Sequence, residues 1–493
     1  MNKGIIFTVL IGIVFVGTFL RLNHINDNSL WLDEGITYYN SSGKNYSEVW
    51  DKTRRLDQSP PAYYFIMHTY LDLFGENEFG FRLIPLIFGV LSILFLYFLI
   101  SEMFSREAGL IAAGLLAINP FHIGFSIESR MYVLLSLEGL IAFYLTYKAV
   151  SHEKNNYVYW LLFSLVSILG LYTHNFYLFI LAGTAFSFFF LLIGAKKKLE
   201  KFLSGIVSLF LIFLGYLPWF FNLLYQLKVE RYWLAENSIS DLKSYFLDFV
   251  NQNNYVFIGF LVLSCIAFIW ALIRRKPATH KKNLLNIVAM SVFIIFGIGL
   301  PLGYSLFFSP ILKIRYAVYL LPFWLGIISV GIYSFKRMTW LIPILIFGLF
   351  IYLLKPWQMP KYPTEIGENY RGLVDIVLKK QAPIIVHSPS ITHVINFYNK
   401  GRISVKPFPN TDDLRTFDVS RSLESEFKSS VKGLKSFYLA ITHSHEKPMG
   451  LLVNWSNELC DQSVKIDVKG INLYYFDECK SIITSASSLI FSE

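Results

Sequence analysis

Apolar runs of nearly membrane-spanning length recur along most of the chain. A helix needs about 20 apolar residues to cross the hydrocarbon core of a bilayer. Runs that approach this length cover residues 4–21, 78–100, 107–120, 131–149, 157–173, 176–194, 203–222, 255–273, 283–303, 314–334 and 338–355. The pattern predicts an α-helical polytopic membrane protein with about eleven transmembrane helices.

Basic residues distinguish the two sides of these segments. Cytoplasmic loops of membrane proteins are enriched in Lys and Arg. If the N-terminus is cytoplasmic, every inner loop is basic, with Arg106, Lys148 and Lys154, Lys196 to Lys198, Arg274 to Lys276, and Lys336 with Arg337. We therefore expect a multi-pass protein of the plasma (inner) membrane, with its N-terminus inside and, because the number of spans is odd, its C-terminal region outside.

Residues 60–74 are apolar but are predicted to be a re-entrant or interfacial helix. Pro60 and Pro61 begin this run, and Asp72 and Glu76 interrupt its end. A full crossing here would place the later basic loops outside the cell, against the charge pattern.

The composition changes after residue 355, where charged residues become frequent. Helices are predicted at 370–379 and 392–399, and strands at 383–387, 437–442 and 471–476. We therefore expect two domains. Residues 1–355 form a transmembrane catalytic domain, whose first outer loop, 22–77, carries the active site. Residues 356–493 form a small extracytoplasmic α/β domain. Cys460 and Cys479 both fall in this domain and are either a disulfide or two free thiols.

Composition excludes two broad classes of protein. The chain is 54% hydrophobic with a mean hydropathy of +0.47, which is too apolar for a soluble protein. Its net charge of +10 comes from short clusters between apolar runs, so nucleic acid is not the expected partner. No glycine-rich phosphate loop, dinucleotide fingerprint, Cys-x2-Cys pair or His-Glu-x-x-His motif is present, so the sequence predicts no nucleotide site.

Adjacent carboxylates, Asp33 and Glu34, follow the first span by about ten residues. A carboxylate in a partly dehydrated site has a raised pKa and can accept a hydroxyl proton as a general base. The alternative is a loop turn, or an N-cap for a short helix from Gly35 to Asn40.

Asp57, before Pro60 and Pro61, is a further candidate that could bind a divalent cation or orient a sugar, or could belong to a simple turn.

Further candidates lie at the outer ends of the predicted spans. Arg130 has the planar donor geometry that holds a phosphate, although an ion pair with Glu128 within the loop is the alternative. His174 could be a phosphate donor, a metal ligand or a structural histidine. The candidates for holding the donor phosphate or sugar are Arg54, Arg55, Glu128, Arg130, Tyr132, His174, Lys313 and Arg315. For Lys313 and Arg315, lipid-headgroup contact is the alternative. Glu34, Asp57 and His174 are the candidate ligands if a metal such as Mg or Mn is required, while His443 and His445 are weaker candidates.

An ordered series of motifs resembles the bacterial and archaeal branch of glycosyltransferase family 39, in the dolichyl-phosphate-mannose protein mannosyltransferase superfamily with the GT-C fold. The motifs are Trp31-Leu32-Asp33-Glu34, Ser59-Pro60-Pro61-Ala62-Tyr63-Tyr64, Phe74-Gly75 with Phe81-Arg82-Leu83, Asn119-Pro120-Phe121-His122, Glu128-Ser129-Arg130-Met131-Tyr132, Tyr172-Thr173-His174, Arg315-Tyr316 with Leu321-Pro322, and Asn369-Tyr370-Arg371-Gly372. They cover nearly all of residues 20–375 and little of the remaining tail.

The resemblance implies an inverting enzyme that moves a sugar from a polyprenyl- or dolichyl-phosphate donor to an acceptor outside the cytoplasm. It assigns the catalytic aspartate to Asp33, and acceptor or metal positioning to Glu34 and Asp57. Many relatives have His or Lys where this chain has Ser59, so the donor-phosphate contact expected there moves to Arg54, Arg55 or Arg130. The expected activity is that of a hexosyl- or pentosyltransferase of the cell envelope, with a glycan, lipid or protein acceptor.

A transporter or flippase of lipid-linked sugars is the alternative function, since it would also need charged residues in a membrane cavity. Such a protein should carry polar residues near the middle of its spans and show paired halves. Here the polar residues gather at the outer ends of the spans, and no internal repeat is visible.

Overall fold

The computed structural model divides the chain into two compact units. The membrane unit comprises Met1–Ile25 and Asn45–Glu365, and the α/β unit comprises Asn26–Lys44 and Ile366–Glu493. This division differs from the predicted one because residues 26–44, part of the predicted first outer loop, belong to the α/β unit. The structure describes residues 2–56, 59–153, 157–226, 237–273, 277–337, 341–358, 367–410, 419–442 and 446–480.

Twenty α-helices and five strands are formed by the described residues. The helices are α1 (Lys3–His24), α2 (Leu32–Ser41), α3 (Tyr46–Leu56), α4 (Ala62–Phe74), α5 (Glu78–Met103), α6 (Arg106–Ala117), α7 (Pro120–Ser126), α8 (Tyr132–Ser151), α9 (Tyr157–Thr173), α10 (Tyr177–Ile193), α11 (Lys198–Gln226), α12 (Asp241–Asp248), α13 (Asn254–Ile273), α14 (Pro277–Phe307), α15 (Leu321–Ser334), α16 (Leu341–Leu354), α17 (Tyr370–Lys380), α18 (Thr392–Asn399), α19 (Glu424–Ser430) and α20 (Glu446–Leu459). The strands are β1 (Ile384–His387), β2 (Val405–Pro407), β3 (Phe437–Ile441), β4 (Cys460–Val468) and β5 (Ile471–Cys479).

Each of the eleven predicted apolar segments coincides with a helix of the membrane unit. Among the described residues, seven helices are long and apolar enough to cross a membrane, one of them being Ile314–Ser334, in which a 3-10 turn continues into α15. The pair α6 and α7 is bent and could be one more span, and α9, α10 and α16 are shorter apolar helices. The predicted fold class is confirmed: a polytopic helical protein with a small C-terminal sheet domain. The number of helices that cross the bilayer stays a prediction.

The predicted run 107–120 is interrupted by a 65° bend between α6 and α7. Asn119 caps α7, because its side chain accepts a hydrogen bond from the His122 N–H at 3.0 Å. The buried guanidinium of Arg21 donates to the carbonyl of Ala117 at 3.1 Å and lies 2.8 Å from His122 Nδ1. Arg21 therefore satisfies a carbonyl that the end of α6 leaves without a helical partner.

The predicted helix at 60–74 is formed by α4. It begins after Pro61 and ends at Gly75, whose φ of +70° suits a residue without a side chain. Its Phe65 ring stacks against Trp50 of α3, which in turn packs edge-on against Trp219 of α11. The helix is thus packed within the membrane unit, and its depth in the bilayer stays a prediction.

The α/β unit is built on one mixed sheet with the strand order β2-β1-β3-β5-β4. β1 pairs in parallel with β2 and β3, whereas β5 is antiparallel to β3 and β4. Every residue of β1 and β3 is buried, as expected of central strands covered on both faces, whereas most of edge strand β4 is exposed. A disulfide joins Cys460 and Cys479, the terminal pair of β4 and β5.

Candidate active site

Asp33 and Glu34 occupy the first turn of α2, where negative charge is favourable beside the helix N-terminus. The helix begins at Leu32, three residues before the start considered from sequence. Glu34 is fully buried, and its carboxylate accepts a hydrogen bond from the Trp31 N–H at 3.3 Å, as in a capping box. Asp33 is only half-buried, so it is the more accessible carboxylate of the pair.

The helix that carries Asp33 packs against α18 of the same unit. Gly35 lies so close to this helix that an added Cβ would be 2.8 Å from the Val394 Cβ and backbone nitrogen. Tyr39 stacks on His393 with ring centroids 4.0 Å apart, and Tyr38 meets Phe397 edge-on at 5.2 Å. Asp33 therefore stands on a packed helix, which holds a functional group more precisely than a free loop does.

Hydrogen bonds tie the segment before α2 to the start of α17. The Ser29 hydroxyl donates to the Glu368 carbonyl at 2.6 Å and accepts from the Tyr370 N–H at 3.1 Å. The Leu30 N–H donates to the Tyr398 hydroxyl at 2.7 Å. Asn369 caps α17 by accepting from the Gly372 N–H at 2.9 Å, so the Asn-Tyr-Arg-Gly motif builds the helix start to which this segment binds.

In the membrane unit, two arginines lie on one tyrosine ring. The guanidinium carbons of Arg130 and Arg315 are each 5.7 Å from the centre of the Tyr132 ring. All three side chains are buried, and Arg130 also donates to the Tyr64 hydroxyl at 3.4 Å. The fold thus brings together charged residues that are far apart in sequence, and we name Arg130, Tyr132, His174, Arg315 and Tyr316 the arginine cluster.

His174 completes this cluster as a neutral side chain. Its ring lies 5.0 Å from that of Tyr316 and 6.1 Å from that of Tyr132. Burial, with the nearby charges of Arg130 and Arg315, lowers the pKa of His174 to about 3. Its Nδ1 accepts the Phe176 N–H at 3.0 Å, which leaves the proton of the neutral ring on Nε2. His174 can therefore donate one hydrogen bond without adding charge.

The other candidates have more varied surroundings. Glu128 is buried two residues before Arg130, and its carbonyl accepts the Arg130 N–H at 2.7 Å. Lys313 is half-buried at the start of the 3-10 turn Ile314–Leu320 that contains Arg315. Arg54 is exposed and pairs with Asp51 at 3.7 Å. Asp57, the side chain of Arg55, and His443 with His445 lie outside the described residues.

A buried carboxyl was missed by the sequence reasoning. Glu138 lies in the second turn of α8, and its Oε1 accepts the Thr173 hydroxyl at 2.8 Å. Thr173 immediately precedes His174, so this bond links α8 to the loop of the arginine cluster. An acidic residue within a predicted span was the signal that could have found it.

The candidate metal ligands are Glu34, Asp57 and His174, of which Asp57 lies outside the described residues. Across the described ranges, no three His, Cys, Asp or Glu side chains come together as ligands. Nδ1 of His174 already accepts a hydrogen bond. Glu34 caps α2.

Comparison with known proteins gives one family match and one distant relative. Residues 58–220 match the family model described as dolichyl-phosphate-mannose-protein mannosyltransferase. A protein of Aquifex aeolicus (strain VF5), itself described only as uncharacterized, is 26% identical over 321 residues, which is 62% of this chain. The match spans 59% of that relative's length.

The likeness to solved structures covers a larger share of the chain than these sequence matches do. ArnT from Cupriavidus metallidurans bound to undecaprenyl phosphate superposes with a TM-score of 0.65 at 12% identity, covering 96% of this chain and 98% of that one. The archaeal oligosaccharyltransferase AglB from Archaeoglobus fulgidus, in complex with an inhibitory peptide and a dolichol-phosphate, gives 0.56 at 12% identity, covering 88% and 69%. At such low identity the likeness shows a shared fold.

Proposed function

We propose that this chain, a membrane protein with the GT-C fold, is an inverting glycosyltransferase that uses a polyprenyl- or dolichyl-phosphate sugar donor. Two solved proteins of this fold are described with undecaprenyl phosphate and with a dolichol-phosphate. The sugar transferred is a hexose or a pentose, and the acceptor is a hydroxyl of a glycan, lipid or protein on the outer face of the membrane.

The arginine cluster is the observation that carries this proposal. Arg130 and Arg315 bring two buried positive charges to the same tyrosine ring. Guanidinium groups match the oxygens of a phosphate and keep their charge at any physiological pH. We assign the donor phosphate to this cluster, with the Nε2–H of neutral His174 as an additional donor.

The reaction requires one base and one site for the departing phosphate. The acceptor oxygen attacks the anomeric carbon, and the bond between that carbon and the phosphate oxygen breaks with its electron pair on the phosphate. We assign to Asp33 the removal of the acceptor hydroxyl proton. Arg130 and Arg315 stabilise the negative charge that develops on the departing lipid phosphate.

The remaining candidates are assigned supporting roles. Glu34 holds the first turn of α2 and thereby positions Asp33, while Asp57 is retained as a candidate that orients the acceptor. Glu128 and Lys313 lie two residues before Arg130 and Arg315, respectively. We propose that their charges influence the electrostatic potential at the phosphate. Because lipid phosphate is a good leaving group once its charge is stabilised, the proposal requires no metal step.

Transfer can be distinguished from transport by using detergent-solubilised protein. A detergent micelle does not separate two compartments, and a transporter of lipid-linked sugars does not alter them chemically. A transporter would therefore form no product in this assay. We expect the purified chain, given a polyprenyl-phosphate sugar and an extract of cell-envelope acceptors, to release free polyprenyl phosphate and glycosylated acceptor, both measured by mass spectrometry. An unchanged donor in detergent, with movement of that donor across proteoliposomes, would instead establish a flippase.

A further inference from the structure

A second cation-rich site lies at the opposite ends of the helices that carry the arginine cluster. The cavity, of about 480 Å³, is bounded by the last residues of α8 and α10 and by the first part of α14. Tyr147, Lys196, Lys281, Lys282 and Asn286 supply its polar lining. None of these residues has a role in the proposed transfer reaction.

The walls of this lysine cavity are fixed by hydrogen bonds to neighbouring helix ends. Asn286 donates to the Met103 carbonyl at 2.8 Å, and the Tyr147 hydroxyl donates to the Glu102 carbonyl at 3.1 Å. The fully buried Lys201 donates to the carbonyls of Val150 and His152 at 2.7 and 2.6 Å. These bonds tie α5, α8, α11 and α14 together, so the cavity belongs to the packed helical frame.

The charge of the cavity is positive. Its lining includes the three lysines Lys196, Lys281 and Lys282, and one acidic residue, Glu153, which pairs with Lys196 at 2.5 Å. Lys281 and Lys282 are exposed, and the Lys282 ammonium lies 6.0 Å from the centre of the Tyr147 ring. The lining therefore favours an anion.

The position of the cavity matches the headgroup level of a bilayer. α8 begins at Tyr132 of the arginine cluster and ends at Ser151 beside the cavity, 20 residues in all. At about 1.5 Å per residue this helix is about 30 Å long, the thickness of the hydrocarbon core. The cavity rim also includes the exposed side chain of Ile193 and the half-buried Leu285, which offer apolar surface next to the lysines.

We propose that the lysine cavity binds the phosphate of an anionic phospholipid in the leaflet opposite to the arginine cluster. Lys281 and Lys282 would contact the phosphate, and the acyl chains would lie along Ile193 and Leu285. Basic pockets between transmembrane helices are suited to anionic headgroups. A free phosphate ion could also contact Lys281 and Lys282, but it has no acyl chains that would pack on the apolar rim. The two ligands can therefore be distinguished.

Native mass spectrometry of the full-length protein in detergent tests this inference. The probes are phosphatidylglycerol and phosphatidylcholine with identical acyl chains, titrated separately and then with excess inorganic phosphate. We expect phosphatidylglycerol to bind preferentially, and Lys281→Gln/Lys282→Gln to weaken its binding by about tenfold or more, because two positive charges next to the anionic headgroup are removed.

The control removes the same charge from the same side of the membrane unit. Lys197→Gln/Lys198→Gln replaces two exposed lysines that do not line the cavity, and should change phosphatidylglycerol binding by less than about twofold on the same scale. Lys281→Arg/Lys282→Arg should retain the lipid. The proposal would be overturned if both double glutamine variants lost phosphatidylglycerol binding equally, if phosphatidylcholine bound as tightly as phosphatidylglycerol, or if inorganic phosphate displaced the lipid.

Discussion

Arg130 and Arg315 are separated by 185 positions in sequence, yet both guanidinium groups lie 5.7 Å from the Tyr132 ring. A phosphate bound between them would accept hydrogen bonds from both guanidinium groups, and the proposal assigns the donor phosphate to this place. The pair is therefore where the proposed donor interaction can be tested residue by residue.

Arg130→Ala should raise the donor KM by about tenfold or more while leaving the acceptor KM unchanged, because a charge-assisted hydrogen bond contributes about 1.5–3 kcal/mol. Arg130→Lys should restore binding only in part, since an ammonium lacks the planar pair of donors. Steady-state kinetics with both substrates varied is the measurement, and Arg106→Ala, at an exposed position at the start of α6, is the control. An unchanged donor KM in Arg130→Ala would remove the phosphate role.

His174 should not titrate in the physiological range. Its pKa is lowered to about 3 in the folded protein, against about 6.5 for an unperturbed histidine. Between these two values the unfolded chain binds a proton that the folded chain does not, so stability falls as the pH drops from about 6.5 towards 3. We expect the Tm of wild type to fall more between pH 7 and pH 4 than that of His174→Gln.

The pH profile of sugar transfer gives a second check on the same residue. Wild type and His174→Gln should show the same inflections above pH 5, whatever their absolute rates. An inflection near pH 6.5 that is lost in the variant would mean that His174 is charged during turnover, contrary to its buried neutral state.

For individual residues, the sequence shows which side chains are charged or polar more readily than it shows what surrounds them in the fold. Arg130, His174 and Arg315 could be selected because charged and polar groups are costly at membrane depth, and these residues lie within a few positions of a span. Their meeting on Tyr132 could not be predicted, since it depends on how α8, α10 and the turn before α15 pack. Glu34 shows the same limit: its acidity is visible in the sequence, but its burial and its hydrogen bond from the Trp31 N–H depend on where α2 begins.

Among the secondary-structure elements, α2 carries the proposed base and packs on α18 through one close contact. Gly35 leaves no room for a Cβ against Val394. Gly35→Ala should therefore shift α2, lower the Tm and reduce sugar transfer. Gly12→Ala is the matched control, because this helical glycine of α1 has nothing within 4 Å of the added Cβ and alanine favours helix. Equal behaviour of the two variants in a thermal-shift and transfer assay would show that this contact is not required.

Elements with a strong local pattern were predictable, and those that depend on pairing were not. β1 and β3 are short apolar runs, and their strands were expected at the positions where they form. β4 mixes charged and apolar residues on an edge and gains its conformation by pairing with β5, so no local signal revealed it. The bend between α6 and α7 is marked locally by Asn119 and Pro120, whereas the hydrogen bond from Arg21 to the Ala117 carbonyl at the bend joins residues distant in sequence.

For the whole molecule, the basic loops predict the orientation in the membrane. A reporter fused after Glu493 should be active only outside the cytoplasm, and a reporter inserted after Lys197 only inside. Paired alkaline phosphatase and fluorescent protein fusions measure both positions. A cytoplasmic signal from the C-terminal fusion would mean that the number of spans is even.

In the proposed reaction, Asp33 removes the acceptor proton during sugar transfer. The most direct measurement is the turnover of purified Asp33→Asn in detergent with a polyprenyl-phosphate sugar donor, compared with wild type and with Asp27→Asn, an exposed acidic residue of the same segment. Loss of a general base typically costs about 10²–10⁴-fold in rate. We expect Asp33→Asn to lose turnover by this factor while it still binds donor, and Asp27→Asn to resemble wild type. Turnover of Asp33→Asn at the wild-type rate would contradict the mechanism.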